Sequence, residues 1–246
     1  MKRFLRALAR IPSRVSLWMR IFKAFKGLTF SSNVSLLVSA IFDVFSSLIA
    51  SSNPRLVLSG GYLYLCKPLG LIFYVRGGTD HLYCLLPGRE GPVEKVITAS
   101  LKAGDVFIDV GANAGYYSIL AAKQGAKVIA VEPIPETVAI LKVNLWLNGL
   151  LDSVHVIPKC LFSTTTTLSM YIPISGNFGL ATHYAHDGKY RKIEIPSTTL
   201  AEILAHFNRI KLVKIDAEGA EYDILLGSGS SLNKIEHLII EISRNA

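Results

Sequence analysis

From Asp105 onward, short apolar runs alternate with segments of helical period, and no other feature restricts the possible folds as strongly. Val106–Val110, Lys127–Val131, Val154–Ile157 and the runs 212–215 and 238–242 read as strands. Tyr116–Lys123, Pro135–Leu147, 199–207 and 222–226 read as helices, two of them stopped by Gly125 and by Asn148-Gly149. Strands separated by helices cannot pair as hairpins. They must lie parallel, with the helices covering both faces of one sheet, which makes residues 105–246 an α/β domain. The stretch 161–197 interrupts the alternation and reads as irregular, with Gly176, Gly179 and Gly188 giving it freedom and His183, Tyr184, His186 and Asp187 giving it polar groups.

Upstream the pattern differs. Within 55–104, the runs 56–58, 62–65, 71–75 and 81–85 read as strands of a small antiparallel sheet, separated by Gly60-Gly61, the turn from Pro68 to Gly70, and Gly77-Gly78. A helix over about 92–101, stopped by Gly104, leads into the α/β domain. Residues 1–54 form a third segment, and here charge matters. Lys2, Arg3, Arg6, Arg10, Arg14, Arg20, Lys23 and Lys26 are eight cations with no acid among them, so the entire formal excess of +8 lies in the first 26 residues. A neutral body argues against nucleic acid as a partner. On a helical period Phe4, Leu8, Ile11, Val15, Trp18, Phe22 and Phe25 gather on one side and the first arginines on another, with Pro12 restarting the helix. Such an arm suits an anionic membrane surface or, equally, a helix docked on its own domain.

Residues 34–50 are apolar apart from a stripe of Ser35, Ser39, Asp43, Ser46 and Ser47 at helical spacing. Seventeen residues is at the short limit for a membrane span, and a mid-span carboxylate costs about 2.5–3.5 kcal/mol. The segment therefore reads as an interfacial or packed helix, the protein as cytoplasmic or peripheral at the inner face of a membrane. Cys66, Cys84 and Cys160 lie far apart and outside any metal-ligand spacing, so neither a disulfide framework nor a metal site is expected.

The chemistry concentrates at three strand ends. Asp109-Val110-Gly111-Ala112-Asn113-Ala114-Gly115 joins a buried strand to a helix, and its glycines let backbone approach a ligand. Asn113 stands where many dinucleotide loops carry glycine, and Asn tolerates a left-handed conformation. Asp109 would repel a pyrophosphate but can pair with an ammonium. Glu132 ends the second strand, 21 residues after Gly111, where an acid can accept both hydroxyls of a ribose. Asp216 ends a later strand at the crevice where open α/β sheets bind ligands, with Glu218 and Glu221 on the following turn. Asp216, and after it Glu218, are the candidate catalytic bases; either could instead orient a cofactor or hold a divalent cation. Lys214 reads as a structural partner for a carboxylate.

Asp109 to Ser118 (DVGANAGYYS), Glu132-Pro133, Asn144 to Gly149 (NLWLNG), Thr198-Thr199-Leu200, Lys214 to Glu221 (KIDAEGAE) and Ile240-Glu241-Ile242 resemble, in order, the motifs of the FkbM family of methyltransferases, as does Arg76 to Asp80 (RGGTD) upstream. The resemblance covers roughly residues 70–246. It implies a Rossmann-like class I fold and methylation of a hydroxyl on a sugar, glycan, lipid-linked or secondary-metabolite acceptor. It also implies S-adenosylmethionine as cofactor, held by Asp109, Gly111, Asn113, Gly115, Glu132 and Pro133. Two departures stand out. Ala201 replaces an acid after the threonine-leucine pair, and the antiparallel strand pair that normally closes the class I sheet is missing after Ser243. The strand 238–242 is then expected at an open edge, covered by the N-terminal segment or by a second subunit in a homodimer. The alternative reading is a shortened binding protein at the membrane surface that keeps the cofactor fold without turnover.

Overall fold

The computed structural model describes residues 10–49, 54–174 and 190–242. The chain divides into two compact units, Met1–Arg89 and Glu90–Ala246.

In the first unit, α1 (Ile11–Ala24) carries Pro12 in its first turn, where proline has no amide hydrogen bond to lose. The chain then extends as β1 (Phe25–Gly27) and re-enters helix as α2 (Phe30–Ser46). Thr29 caps α2 by accepting the Ser32 amide at 3.1 Å. Asn33 accepts the Gly27 amide at 3.1 Å and donates back to the Gly27 carbonyl at 3.0 Å. This sharp exit from α1 was not expected from the helical period that continues through Phe25. β1 pairs with β2 (Gly61–Cys66), which pairs antiparallel with β3 (Leu71–Arg76), so the helical segment and the small β region share one sheet.

Two of the four strands expected upstream are absent. Residues 54–57 take no regular structure, and 81–85 gives a short helix, α3 (His81–Cys84). His81, Leu82, Leu85 and Leu86 are the buried positions there. That i, i+1, i+4, i+5 burial is helical, whereas the short, mostly apolar run from 81 to 86 does not by itself distinguish a helix from a strand.

Helix α2 is packed, one of the two readings the sequence offered, and its contacts fix which side is inside. Its polar stripe faces inward: Ser32, Ser35, Ser39 and Asp43 are buried, while Leu37, Ile41, Phe42 and Phe45 are exposed. Asp43 Oδ2 accepts the Trp18 indole N–H at 2.9 Å and lies 3.5 Å from Arg14 Nε, joining α2 to α1. Ser39 Oγ accepts the Val57 amide at 3.0 Å, and the Tyr64 hydroxyl donates to the Ser32 carbonyl at 3.2 Å. No described helix is long and apolar enough to cross a membrane. The expected contribution of Lys2, Arg3, Phe4, Arg6 and Leu8 lies outside the described residues, as do positions 51–53.

The second unit is the α/β domain the alternation demanded. After α4 (Gly91–Ser100) come β4 (Val106–Val110), α5 (Tyr116–Lys123), β5 (Lys127–Val131), α6 (Pro135–Leu147) and β6 (Val154–Ile157). Later elements are α7 (Leu200–Leu204), β10 (Ile210–Ile215), α8 (Glu221–Leu226) and β11 (Ile235–Ile240). The five strands form one parallel sheet in the order β11-β10-β4-β5-β6. Ile108, Val110, Ile129, Val131, Val213 and Ile215 point to one face and pack on Leu200, Leu204 and Ile224. The order reverses beside β4, and there the carboxyl ends of the strands open a crevice.

Where the stretch expected to be irregular is described, at 161–174 and 190–197, it is largely sheet. β7 (Cys160–Leu161) runs parallel to β9 (Tyr190–Thr198), and β8 (Thr167–Pro173) pairs antiparallel with β9 along its length. Cys160, Met170, Ile172 and Ile195 pack with Ile134, giving these strands a core of their own. Threonines and charges on the opposite face hide this alternation in the sequence. His183, Tyr184, His186 and Asp187 lie outside the described residues.

Candidate functional site

Gly111, Asn113 and Gly115 all take left-handed backbone, with φ of 75°, 49° and 96°. The loop from β4 to α5 therefore turns tightly three times. Gly111 serves a purpose that the sequence did not reveal. A Cβ there would lie 1.9 Å from the Asp216 carbonyl oxygen, so its bare Cα admits another stretch of this chain. The Asp216 amide donates to the Val110 carbonyl at 3.1 Å, tying the end of β10 to the start of the loop. At Gly115 a Cβ would meet Leu141 of α6 at 2.5 Å.

Glu132 holds the other side. Its Oε2 accepts the Asn113 amide at 3.0 Å and its Oε1 the Ile134 amide at 3.0 Å. Each oxygen keeps a further lone pair for a ligand. Burial pushes the carboxyl up to about 7, against the pull of those two amides and with the help of the Asp109 and Asp216 charges. Pro133, between the two bonded residues, is half-buried. Asn144, fully buried on α6, donates to the Ala114 carbonyl at 2.9 Å and so fixes the loop from behind.

Asp109 is buried beneath the loop, with 1% of its surface exposed. Its Oδ2 accepts the Ser118 hydroxyl at 2.6 Å, whereas Oδ1 has no hydrogen-bond partner. A buried carboxylate oxygen without a donor is costly, and a ligand ammonium or hydroxyl would relieve it. Burial raises this carboxyl above its ordinary range although Lys214 and Ser118 oppose the shift.

Strand register explains the next contact. Lys214 of β10 stands opposite Asp109 of β4, so both side chains emerge on the same face. Lys214 is buried and donates to Asp216 Oδ2 at 3.1 Å. Burial opposes its charge, but the Asp216 and Asp109 carboxylates outweigh that penalty and hold the ammonium above its usual value. The Lys214 Nζ also sits 5.4 Å from the centre of the Tyr117 ring, whose hydroxyl donates to Glu90 at 2.7 Å.

The acid turn after β10 is folded by Glu221 rather than by Glu218. Glu221 is buried and its Oε1 accepts the amides of Ala217 at 3.1 Å and Gly219 at 3.0 Å. Glu218 is half-buried with φ of 47°, an uncommon conformation for a residue of its size. Asp216 keeps 22% of its side chain exposed.

All eight residues expected at the site therefore lie on three neighbouring segments: the loop after β4, the end of β5 and the turn after β10. Sequence reasoning missed Ser118, Asn144 and Glu221 as supports. Each meets its partner through a helical turn or a loop fold, and only the resemblance motifs carried a signal for them.

Residues 109–246 match the family model described as the methyltransferase FkbM domain. A curated relative, the methyltransferase sdnD of Sordaria araneosa, is 26% identical over 211 residues, covering 72% of this chain and 76% of its own. The solved FkbM methyltransferase of Methylobacillus flagellatus is 15% identical, with a TM-score of 0.39 over 65% of this chain and 43% of its own. A solved SAM-dependent methyltransferase of Agrobacterium tumefaciens is 12% identical, with a TM-score of 0.44 over 78% of this chain and 56% of its own. This chain spans less than two thirds of either solved protein.

Proposed function

The chain belongs to the FkbM family of methyltransferases, and from that premise we infer that it transfers a methyl group from S-adenosylmethionine to a hydroxyl of a sugar, glycan, lipid-linked or secondary-metabolite acceptor. The observation that carries the cofactor assignment is the unpartnered Oδ1 of buried Asp109, directly below a thrice left-handed loop. A carboxylate at this position suits the ammonium of an amino-acid moiety. Glu132, with lone pairs left after its two amide bonds, suits the ribose hydroxyls. Gly111, Asn113, Gly115 and Pro133 shape the backbone between them.

S-adenosylmethionine supplies an electrophilic methyl group on a sulfonium. What the chain must do is align an acceptor oxygen and take its proton. Alignment supplies up to about 7–11 kcal/mol and a general base roughly 10²–10⁴-fold. Asp216 is the base in this reading, its side chain partly exposed at the end of β10 and hydrogen-bonded by Lys214. Glu218 is the second choice. Lys214 also offsets the repulsion between the Asp109 and Asp216 carboxylates.

Titration calorimetry with S-adenosylmethionine and its demethylated product tests the cofactor. Transfer of labelled methyl into lipid and glycan extracts tests turnover. Asp216→Asn should bind cofactor normally and lose transfer. Full activity in that variant removes Asp216 as the base, and binding without transfer in the wild-type chain would make it a cofactor-binding protein rather than an enzyme.

A further inference from the structure

An amphipathic helix on a water-soluble protein normally buries its apolar face. Helix α2 buries its polar stripe together with Leu36 and Ala40 and leaves a second apolar row outside, and its buried polar groups hold it there. Rotating it would separate Asp43 from Trp18 and Arg14, and Ser39 from the Val57 amide. The outward face carries Leu37, Ile41, Phe42 and Phe45, exposed by 55%, 52%, 55% and 67%. These fall at positions i, i+4, i+5 and i+8 and form one continuous stripe. Helix α1 adds a second apolar row. Val15, Met19 and Phe22 are all exposed and follow the same helical spacing.

The charge of this unit is of one sign. Residues 1–89 hold twelve Lys and Arg and only two acids, Asp43 and Asp80, while the rest of the chain holds fourteen cations and sixteen acids. Both acids of the first unit are buried, Asp43 at 5% exposure and Asp80 at 2%. Arg20 and Lys23 stand one position beyond Met19 and Phe22 on α1, so exposed cations flank the apolar row. Lys26, exposed on β1, extends them towards α2.

We propose that the outward face of the α1–α2 hairpin docks on an anionic lipid bilayer, with α2 lying in the plane of the surface. Protruding aliphatic and aromatic side chains enter the acyl boundary while neighbouring cations meet the headgroups. A helix of seventeen residues is about 25 Å long, and neither it nor any other described helix meets the length and hydropathy of a span. The surface shows cations and no acid, which matches a uniformly anionic plane better than the mixed charges of a protein partner. This site is independent of the methyl-transfer reading.

The test is flotation of the full chain with vesicles of phosphatidylcholine alone and of phosphatidylcholine with phosphatidylglycerol. The wild-type protein should float with the anionic vesicles, and added salt should weaken the binding. Phe42→Ser with Phe45→Ser should reduce partitioning by about tenfold or more, and Lys23→Glu with Lys26→Glu by on the order of tenfold. Both variants change exposed side chains, so circular dichroism and cofactor binding should match the wild type. Failure of the wild-type chain to float with anionic vesicles overturns the proposal. Equal flotation of the Phe42/Phe45 variant overturns it too. So does a sizing column that shows the aromatic pair holding a dimer together, since the face would then belong to a second copy.

Discussion

The position of Glu132 makes a quantitative prediction about cofactor affinity and pH. In the ligand-free protein its carboxyl is pushed from 4.5 up to about 7, chiefly by burial. A raised acid means that the folded state holds a proton which the unfolded state has already released. Stability therefore falls as pH rises from about 4.5 to about 7, by about 3 kcal/mol at about 1.4 kcal/mol per unit. Binding should run the opposite way. Ribose hydroxyls donate to the ionised carboxylate, so below about pH 7 the proton must leave for the cofactor to enter. Affinity should then drop by up to roughly tenfold for each unit below about pH 7. Calorimetry at about pH 6 in buffers of different ionisation enthalpy should detect close to one proton released per cofactor bound. Glu132→Gln should abolish both the release and the slope. It should also bind more weakly throughout and lose about 1–3 kcal/mol of stability, because its NH₂ must face one of the amides of Asn113 and Ile134. An affinity in the wild-type chain that does not change across this range would refute the ribose assignment. So would a proton release that persists in Glu132→Gln.

Gly111→Ala should cost at least about 3 kcal/mol in urea unfolding and weaken cofactor binding, because the left-handed backbone costs about 1–2 kcal/mol and the Cβ meets the Asp216 carbonyl at 1.9 Å. Gly149→Ala is the control: at φ of +68° with nothing near its Cβ, it should lose only the first part. Equal losses would mean that the contact with Asp216 does not constrain the loop. Asp43→Leu should destabilise the first unit by about 1–3 kcal/mol by leaving the buried Trp18 indole N–H without its acceptor and removing one partner of Arg14. Trp18 fluorescence reports this, since Trp146 is 67% exposed and should change little; unchanged stability would show that the polar stripe does not hold the hairpin.

The parallel sheet and its loops were legible because its strands are apolar runs, and three of them end at an acid whose chemistry makes no sense in a core. Asp109, Glu132 and Asp216 announce themselves that way. Where the sequence misled, two signals competed at short range. The short, mostly apolar run from His81 to Leu86 does not by itself distinguish a helix from a strand. The β8–β9 pair is concealed by Thr164 to Thr167, which lead into β8, and by the exposed Arg191, Lys192 and Glu194 of β9. Helix α2 was read correctly as a helix with a polar stripe, but periodicity gives no direction. Only the partners of Asp43 and Ser39, which come from elsewhere in the chain, reveal which side is inside. Lys214 was recognised as a carboxylate's partner, but its opposition to Asp109 depends on strand register, which no local pattern encodes.

The missing side chain at Gly111 has a consequence for how the two substrates sense each other. The loop below the cofactor and the turn bearing Asp216 touch through backbone, with no compressible side chain between them. On the proposed assignments, an adjustment of one on loading would be passed to the other, and the two binding equilibria would share a free energy. A cofactor that tightens the loop also sets the Asp216 carboxylate for the acceptor. By reciprocity a bound acceptor would tighten cofactor binding by the same factor. Such coupling would favour the doubly loaded chain over either half-loaded state, by the same factor whichever ligand arrives first.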